Sequence, residues 1–255
     1  MHVVKAIRTN TLEGPPQSHV IEGYCLGHTE FISKICLVPD TNLLVSAGGN
    51  AWLGVWEWPS FKLRGKVDLQ TGLRQAQTVS TEDSQSDTHQ LGQLPMAVSG
   101  LWTVPIKAAG GSVSPAMVVA FEKVSCYAVI PSRQLSEATP TEPRFTVRRT
   151  DGPLLDVAVV GESVIMSFDP VGNTGGRDET KMRLQAYRFT QSSKESDPLV
   201  EDDQVLGKHL ETLNSFAGVE ADDKKLDQLL YGVAQMRKRR DHDAPEEGAE
   251  GAEDE

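Results

Sequence analysis

The feature that most constrains the fold is a run of four strand-length segments, packed into residues 21–69 and separated only by short turns. The segments are FISKICLV (31–38), LLVSA (43–47), WLGVWEW (52–58) and KLRGKVDL (62–69). The first three are each closed by a turn sequence, PD, GGN and PS in that order. Short apolar runs bounded by such residues indicate β-strands joined by tight turns. The stretch therefore predicts one antiparallel meander.

The same pattern recurs twice, which predicts a repeated all-β architecture. A second group contains residues 96–104, 117–121, 126–130 and 145–149, and a third contains 154–160, 164–168 and 184–189. Units of four short strands, about 40–45 residues long, are typical of β-propeller blades. We therefore predict a partial propeller of about three blades over residues 1–190. Its best-defined blade is 27–69, and the polar segment 75–93 is predicted to be a solvated loop.

Residues 191–255 have a different character. Residues 191–203 are polar and acidic, which is typical of a linker, and leucines then recur at helical spacing, first at 206, 210 and 213 and again at 226, 229 and 230. Two short amphipathic helices are therefore predicted within 191–240. The basic cluster Arg237, Lys238, Arg239 and Arg240 follows. It is expected either to contact RNA or a partner, to act as a nuclear import signal, or to cap a helix C-terminus.

The net charge of −11 is concentrated in one segment. Residues 241–255 hold eight of the 36 acidic residues, which leaves 28 against 25 basic residues in the rest of the chain. Such a segment cannot bury apolar surface, so we predict a disordered acidic tail. No apolar run is long enough to predict a membrane span. Cys36 and Cys126 lie in apolar runs, and the three cysteines have no metal-ligand spacing, which favours free buried thiols in a reducing, intracellular compartment.

Gly27-His28 is followed by Trp56-Glu57, and the tryptophan lies 28 positions after the histidine. This pattern resembles the WD repeat, which has Gly-His before its first strand and Trp-Asp at the end of its third. In that family the histidine, a serine or threonine, the tryptophan and a turn aspartate form one hydrogen-bonded network. The resemblance assigns this structural role to His28, Ser46, Trp56 and Asn50, with asparagine in the aspartate position.

Two longer segments carry a more specific resemblance. Residues 19–33 (HVIEGYCLGHTEFIS), with LVSAGGN (44–50) and WEW (56–58), and the C-terminal LYGVAQMRKR (230–239) resemble the non-catalytic WD-repeat subunit of tRNA (guanine-N7-)-methyltransferase. Residues 70–228 match by strand rhythm only. The family's N-terminal blades and the run that precedes Ile7-Arg8 are missing, so the resemblance implies a truncated chain.

The resemblance implies a non-catalytic, nuclear subunit that forms a heterodimer with the catalytic subunit and stabilises it. The partner would bind S-adenosylmethionine and form N7-methylguanine in the tRNA variable loop. This chain would need no cofactor or metal and would meet tRNA only through the complex. The predicted partner-binding residues are Arg8, Thr29, Glu30 and Phe31. For Glu30 the alternative is a solvated carboxylate, and for Phe31 it is packing in the core.

Other functional classes remain open. The sequence lacks the glycine-rich dinucleotide and phosphate loops and the Gly-x-Ser-x-Gly elbow, which argues against an enzyme. His209, Glu211, Asp222 and Asp223 lack metal-ligand spacing and are expected on solvated helix faces. The main alternative is a WD-repeat interaction adaptor in a chromatin or ubiquitin-ligase assembly. A hydrolase on a propeller is the third class.

Overall fold

The computed structural model describes residues 2–8, 20–78, 96–136, 145–169, 183–191, 198–215 and 223–236. Antiparallel strands dominate these residues. The strands are β1 (His2–Arg8), β2 (Val20–His28), β3 (Ile32–Val38), β4 (Leu43–Gly48), β5 (Trp52–Glu57), β6 (Lys62–Asp68), β7 (Val98–Ala108), β8 (Val113–Phe121), β9 (Cys126–Pro131), β10 (Thr146–Arg149), β11 (Leu154–Val160), β12 (Ser163–Phe168), β13 (Leu184–Gln191) and β14 (Leu199–Asp202). The helices are α1 (Leu69–Thr78), α2 (Ser132–Ser136), α3 (Gln204–Asn214), α4 (Asp223–Leu230) and a 3-10 turn (Ala234–Met236).

The first predicted meander is confirmed as a four-stranded antiparallel sheet in the order β3-β4-β5-β6. In its register Ser46 lies opposite Gly54, and Leu44 lies opposite Trp56. Strands β1 and β2 form a separate two-stranded sheet that packs on this meander through Cys25, Leu44 and Trp56. Because β2 ends at His28, the histidine lies just before β3, the first strand of this meander.

The second and third strand groups are also confirmed. Strands β7 to β10 form the second meander and β11 to β14 the third, and the two join because β13 pairs in parallel with β7 over three residues. The predicted linker 191–203 contains β14, so that prediction is corrected. Backbone pairing with β13 supplies this strand, and its sequence, LVED, carries little apolar pattern.

The core lies between the stacked meanders. Strand β8 is buried on both faces: Met117 and Val119 pack toward the first meander, whereas Val118 and Ala120 pack toward the third. A strand covered on both sides is expected to be continuously apolar rather than alternating. The sequence MVVAF at its end has this property.

Helix α1 corrects the predicted loop 75–93, because its last turn occupies residues 75–78. Asp68 begins the helix: its Oδ1 accepts hydrogen bonds from the backbone N–H groups of Gln70 (2.9 Å) and Thr71 (3.1 Å). Leu69 and Leu73 are buried against the first meander. Residues 79–95 lie outside the described residues.

Helices α3 and α4 form where the leucine spacing predicts them. The basic cluster 237–240 and the tail 241–255 lie outside the described residues, so their predicted roles stay predictions. Among the described residues, no helix is long and apolar enough to cross a membrane. Nor do the described His, Cys, Asp and Glu side chains form a group of three or more able to hold a metal ion.

The meanders are stacked with their first strands starting at the same end. Ser33 Oγ, near the start of β3, donates to the carbonyl of Val98 at the start of β7 (2.5 Å). The N–H of Thr150, before β11, donates to the carbonyl of Ser125 in the β8–β9 turn (3.0 Å). We call this face, formed by residues 29–31, 48–51, 121–125, 150–153 and 169, the loop end.

Candidate functional site

A buried polar network ties the loop end of the first meander together. The His28 ring lies 2.8 Å from Asn50 Oδ1 through Nδ1 and 2.7 Å from Ser46 Oγ through Nε2. Trp56 Nε1 donates to the same Ser46 Oγ at 2.7 Å. The structure thus brings together the four residues to which the resemblance assigned a structural network. They join β2, β4, β5 and the β4–β5 turn.

The hydrogen-bond inventory assigns one tautomer to the histidine. The indole of Trp56 can only donate, so Ser46 Oγ accepts from it and donates its own proton to His28 Nε2. His28 Nδ1 then carries the ring proton and donates to Asn50 Oδ1. With His28 neutral, each polar side-chain group of this network has a hydrogen-bond partner.

The Ser46–His28 contact resembles the nucleophile–base pair of a hydrolase, but its surroundings make it architectural. Both side chains have 0% exposure. An added Cβ on Gly54, opposite Ser46, would lie 2.9 Å from Ser46 Oγ and 2.8 Å from Trp56 Nε1, so no space remains beside the hydroxyl. A nucleophile needs open space where a substrate carbonyl can approach. We therefore assign this network to structural support.

Sequence reasoning missed two members of the site, Trp52 and Lys66. Trp52 stacks on His28 with ring centroids 4.3 Å apart and planes within 6°. Lys66 Nζ lies 4.1 Å from the Trp52 ring centroid on the neighbouring strand. The available signal was β-strand spacing, since Trp56 lies four positions after Trp52 and residues an even number of positions apart share one face of a strand.

The network reaches the surface through the turn that holds Thr29 and Glu30. Asn50 Nδ2 donates to Thr29 Oγ1 at 2.8 Å, and the Glu30 backbone N–H donates to Asn50 Oδ1 at 3.3 Å. Thr29 is exposed and Glu30 is half-buried. The turn is therefore fixed from below by the buried asparagine, while its outer surface remains accessible.

The other two predicted partner-binding residues do not share this surface. Phe31 is 3% exposed, and its ring packs against Gly49, so the prediction of a direct partner contact gives way to the core-packing alternative. Arg8 pairs through its backbone with Val20, at the opposite end of β2 from His28. At about 3.3 Å per strand residue, that places Arg8 about 25 Å from His28, which directly precedes the Thr29–Glu30 turn. The structure describes the backbone of Arg8 but not its side chain.

A second buried polar node supports the third meander. Asp203 Oδ2 accepts from Ser163 Oγ (2.5 Å) and Arg188 Nε (3.0 Å). Its Oδ1 accepts from the backbone N–H groups of the second and third residues of α3, Val205 and Leu206. The Ser163 hydrogen bond, followed by the Leu206 backbone and Arg188, lowers the pKa of Asp203 to about 2. The residue is thus a charged N-cap that ties α3 to β12 and β13.

The cysteines are free, as the sequence predicts, although Cys36 is only half-buried. Burial raises the pKa of all three thiols, and that of Cys126 reaches about 12 despite the nearby Arg149. A thiol with so high a pKa remains protonated at neutral pH and is a poor nucleophile. The cysteines therefore offer no catalytic group.

Four-stranded meanders packed face to face, together with the buried His–Ser–Asn–Trp network, define a WD-repeat protein of the β-propeller class. Comparison with known families identifies the family to which the protein belongs. The chain belongs to the family described as the tRNA methyltransferase TRM82 WD40 domain, whose model matches residues 8–191.

Three similar curated relatives share the name tRNA (guanine-N(7)-)-methyltransferase non-catalytic subunit TRM82. A relative from Phaeosphaeria nodorum is 33% identical over 240 residues, which cover 89% of this chain and 47% of the relative. Relatives from Coccidioides immitis and Aspergillus oryzae are 28% and 27% identical, and the matches cover 88% and 89% of this chain and 44% of each relative. The chain thus spans about half the length of the curated relatives it matches. Their names agree with the prediction that the chain is not an enzyme.

Proposed function

We propose that this chain is a non-catalytic subunit that binds and stabilises the catalytic subunit of a tRNA (guanine-N7-)-methyltransferase. The relatives' names and the family membership support the assignment. In this proposal the two subunits form a heterodimer in the nucleus. The partner binds S-adenosylmethionine, and this chain contacts tRNA only as part of the complex.

The observation that carries the proposal is the fixed turn of Thr29 and Glu30. Asn50 holds the turn through a side-chain and a backbone hydrogen bond, and the rest of the network holds Asn50. A rigid turn loses little conformational entropy when a partner binds, which favours affinity. The chain is therefore proposed to act as a preorganised docking surface, and the catalytic chemistry belongs to its partner.

Charge reversal at Glu30 tests the docking surface. If Glu30 makes a charge-assisted contact that becomes desolvated in the complex, Glu30→Lys should weaken capture of the catalytic subunit by about 2–5 kcal/mol, or at least about 30-fold. The matched control is Glu162→Lys. Glu162 lies in the β11–β12 turn, away from the loop end. Its side chain is exposed and forms an ion pair with Lys107 of β7 (2.7 Å).

The measurement is a titration of the catalytic subunit from the same organism, with circular dichroism to check each variant. Equal affinity of Glu30→Lys and Glu162→Lys would remove Glu30 from the interface. Recovery of histones or ubiquitin-ligase subunits instead of the methyltransferase would favour the adaptor alternative. Saturable binding of S-adenosylmethionine to the isolated chain would contradict the non-catalytic assignment.

Arg8 provides a separate test, because it lies at the opposite end of β2 from the Thr29–Glu30 turn, more than about 25 Å along the strand. If both residues contact the partner, Arg8→Glu and Glu30→Lys should reduce affinity additively, as expected for distant sites. Normal affinity of the Arg8→Glu variant would restrict the interface to the loop end.

A further inference from the structure

The C-terminal segment 223–236 contacts the rest of the molecule mainly through one buried side chain. Tyr231 is 8% exposed, whereas the adjacent Leu229 and Leu230 are 79% and 38% exposed and Met236 is 52% exposed. Of the side chains described in this segment, only Tyr231 is buried. A helix that belongs to a core buries a whole apolar stripe. A single anchor is the pattern of a docked peptide.

The anchor sits in a site built by two meanders at the loop end. The Tyr231 hydroxyl donates to Asp169 Oδ2, just after β12. Two residues on, the Val233 backbone N–H donates to Glu122 Oε1 (2.9 Å) in the β8–β9 turn. Lys123 Nζ lies 2.8 Å from Asp227 Oδ1 and 5.2 Å from the Tyr231 ring centroid.

These acceptors are held by backbone contacts that do not involve the segment. The Asp169 N–H donates to the carbonyl of Pro153, and the Glu122 N–H donates to the carbonyl of Ala97, both at 2.9 Å. Lys123 has a left-handed φ of 59°, which fixes the β8–β9 turn. Burial, and then the hydrogen bond to Asp169, raise the pKa of Tyr231, so the phenol remains a donor at neutral pH. The site is therefore formed by the blades themselves.

We propose that Asp169, Glu122 and Lys123 form a peptide-binding site. Its ligand is a segment in which a tyrosine lies two residues before a backbone N–H group that donates a hydrogen bond. Residues 223–236 of the same chain occupy the site as a detachable latch. Tyrosine is selected over phenylalanine because the loss of its hydroxyl leaves a buried carboxylate without that partner. Detachment of the segment costs little free energy, because the Lys123–Asp227 pair is exposed and the segment buries little apolar surface. The site needs no catalytic subunit, so it goes beyond the proposed function.

The test uses the full chain and a fluorescein-labelled peptide with the sequence of residues 223–236. In the unsubstituted chain the tethered segment competes at an effective concentration on the order of millimolar, so the added peptide should bind weakly. Tyr231→Ala removes the anchor and opens the site. This variant should bind the peptide at least about tenfold more tightly than the unsubstituted chain, as measured by fluorescence anisotropy.

Two controls define the specificity. Asp169→Ala combined with Tyr231→Ala should abolish the gained binding, and so should replacement of the tyrosine in the peptide by alanine. Tyr24→Ala removes an exposed tyrosine of β2 and should bind the peptide no better than the unsubstituted chain.

A Tyr231→Ala chain that is folded by circular dichroism but gains no peptide binding would overturn the proposal. Should that variant fail to fold, Tyr231→Phe keeps the ring and removes only the hydroxyl. Tighter peptide binding by the phenylalanine variant than by the unsubstituted chain supports the site, and equal binding overturns it. Neither result depends on the methyltransferase partner.

Discussion

Trp52 stacks almost parallel to His28, with 4.3 Å between the ring centroids, and covers the outer side of the buried network. Its other neighbour is Lys66, whose ammonium lies 4.1 Å from the indole centroid. The half-exposed indole thus separates the neutral histidine from solvent and from a cation.

Trp52→Ala should therefore destabilise the chain although Trp52 is not a core residue. We expect a loss of about 1–3 kcal/mol, less than for a fully buried aromatic, since stacking contributes about 0.5–1.5 kcal/mol beyond area burial. Trp58→Ala, which removes a tryptophan outside the network, is the control. Equal urea midpoints for the two variants would contradict a specific role for the stack.

Trp56→Ala and His28→Ala test the network itself. Trp56 is 1% exposed, and its truncation should cost about 3–5 kcal/mol, the range for a large buried aromatic. His28→Ala should cost about 1–3 kcal/mol, because Ser46 and Asn50 lose buried hydrogen-bond partners. Chemical unfolding measures both. Unchanged stability of His28→Ala together with lost partner binding would show that the histidine acts at the interface instead.

Asp203 predicts a loss of stability in acid. Its pKa is lowered to about 2 in the folded chain, from an ordinary value of 3.8. A carboxyl with a depressed folded pKa stabilises the fold above its unfolded pKa, and this contribution is lost as pH falls from about 4 to about 2. Asp203→Asn should flatten the pH dependence of the urea midpoint in that window. Asp202→Asn, at the exposed neighbouring position, should leave the pH dependence as it is.

The thiols should react in a defined order. Cys126 is buried with a pKa of about 12, whereas Cys36 is half-buried at the surface of β3. Iodoacetamide under native conditions should therefore modify Cys36 first, as followed by mass spectrometry of the peptides. Faster modification of Cys126 would mean that β9 opens readily from the stacked meanders.

Local patterns in the sequence were sufficient to predict the repeated strands. Residues 31–69 carry apolar runs of strand length between turn residues, and these properties are contained within a few neighbours of each residue. The network residues could also be named, because WD-repeat spacing places His28, Ser46 and Trp56 at fixed intervals. Helices α3 and α4 followed from leucine spacing alone.

Only the tertiary structure decided the remaining features, because they depend on residues far apart in the chain. Strand β14 exists through its backbone pairing with β13, and the ring of Phe31 turns inward because Gly49 leaves space for it. Strand pairing places Arg8 away from Glu30, although both flank one matched segment. Tyr231 meets Asp169 across 62 residues of sequence, a contact that no local pattern encodes. Sequence periodicity thus determined the strands, whereas the stacking of the meanders determined which side chains meet at the loop end.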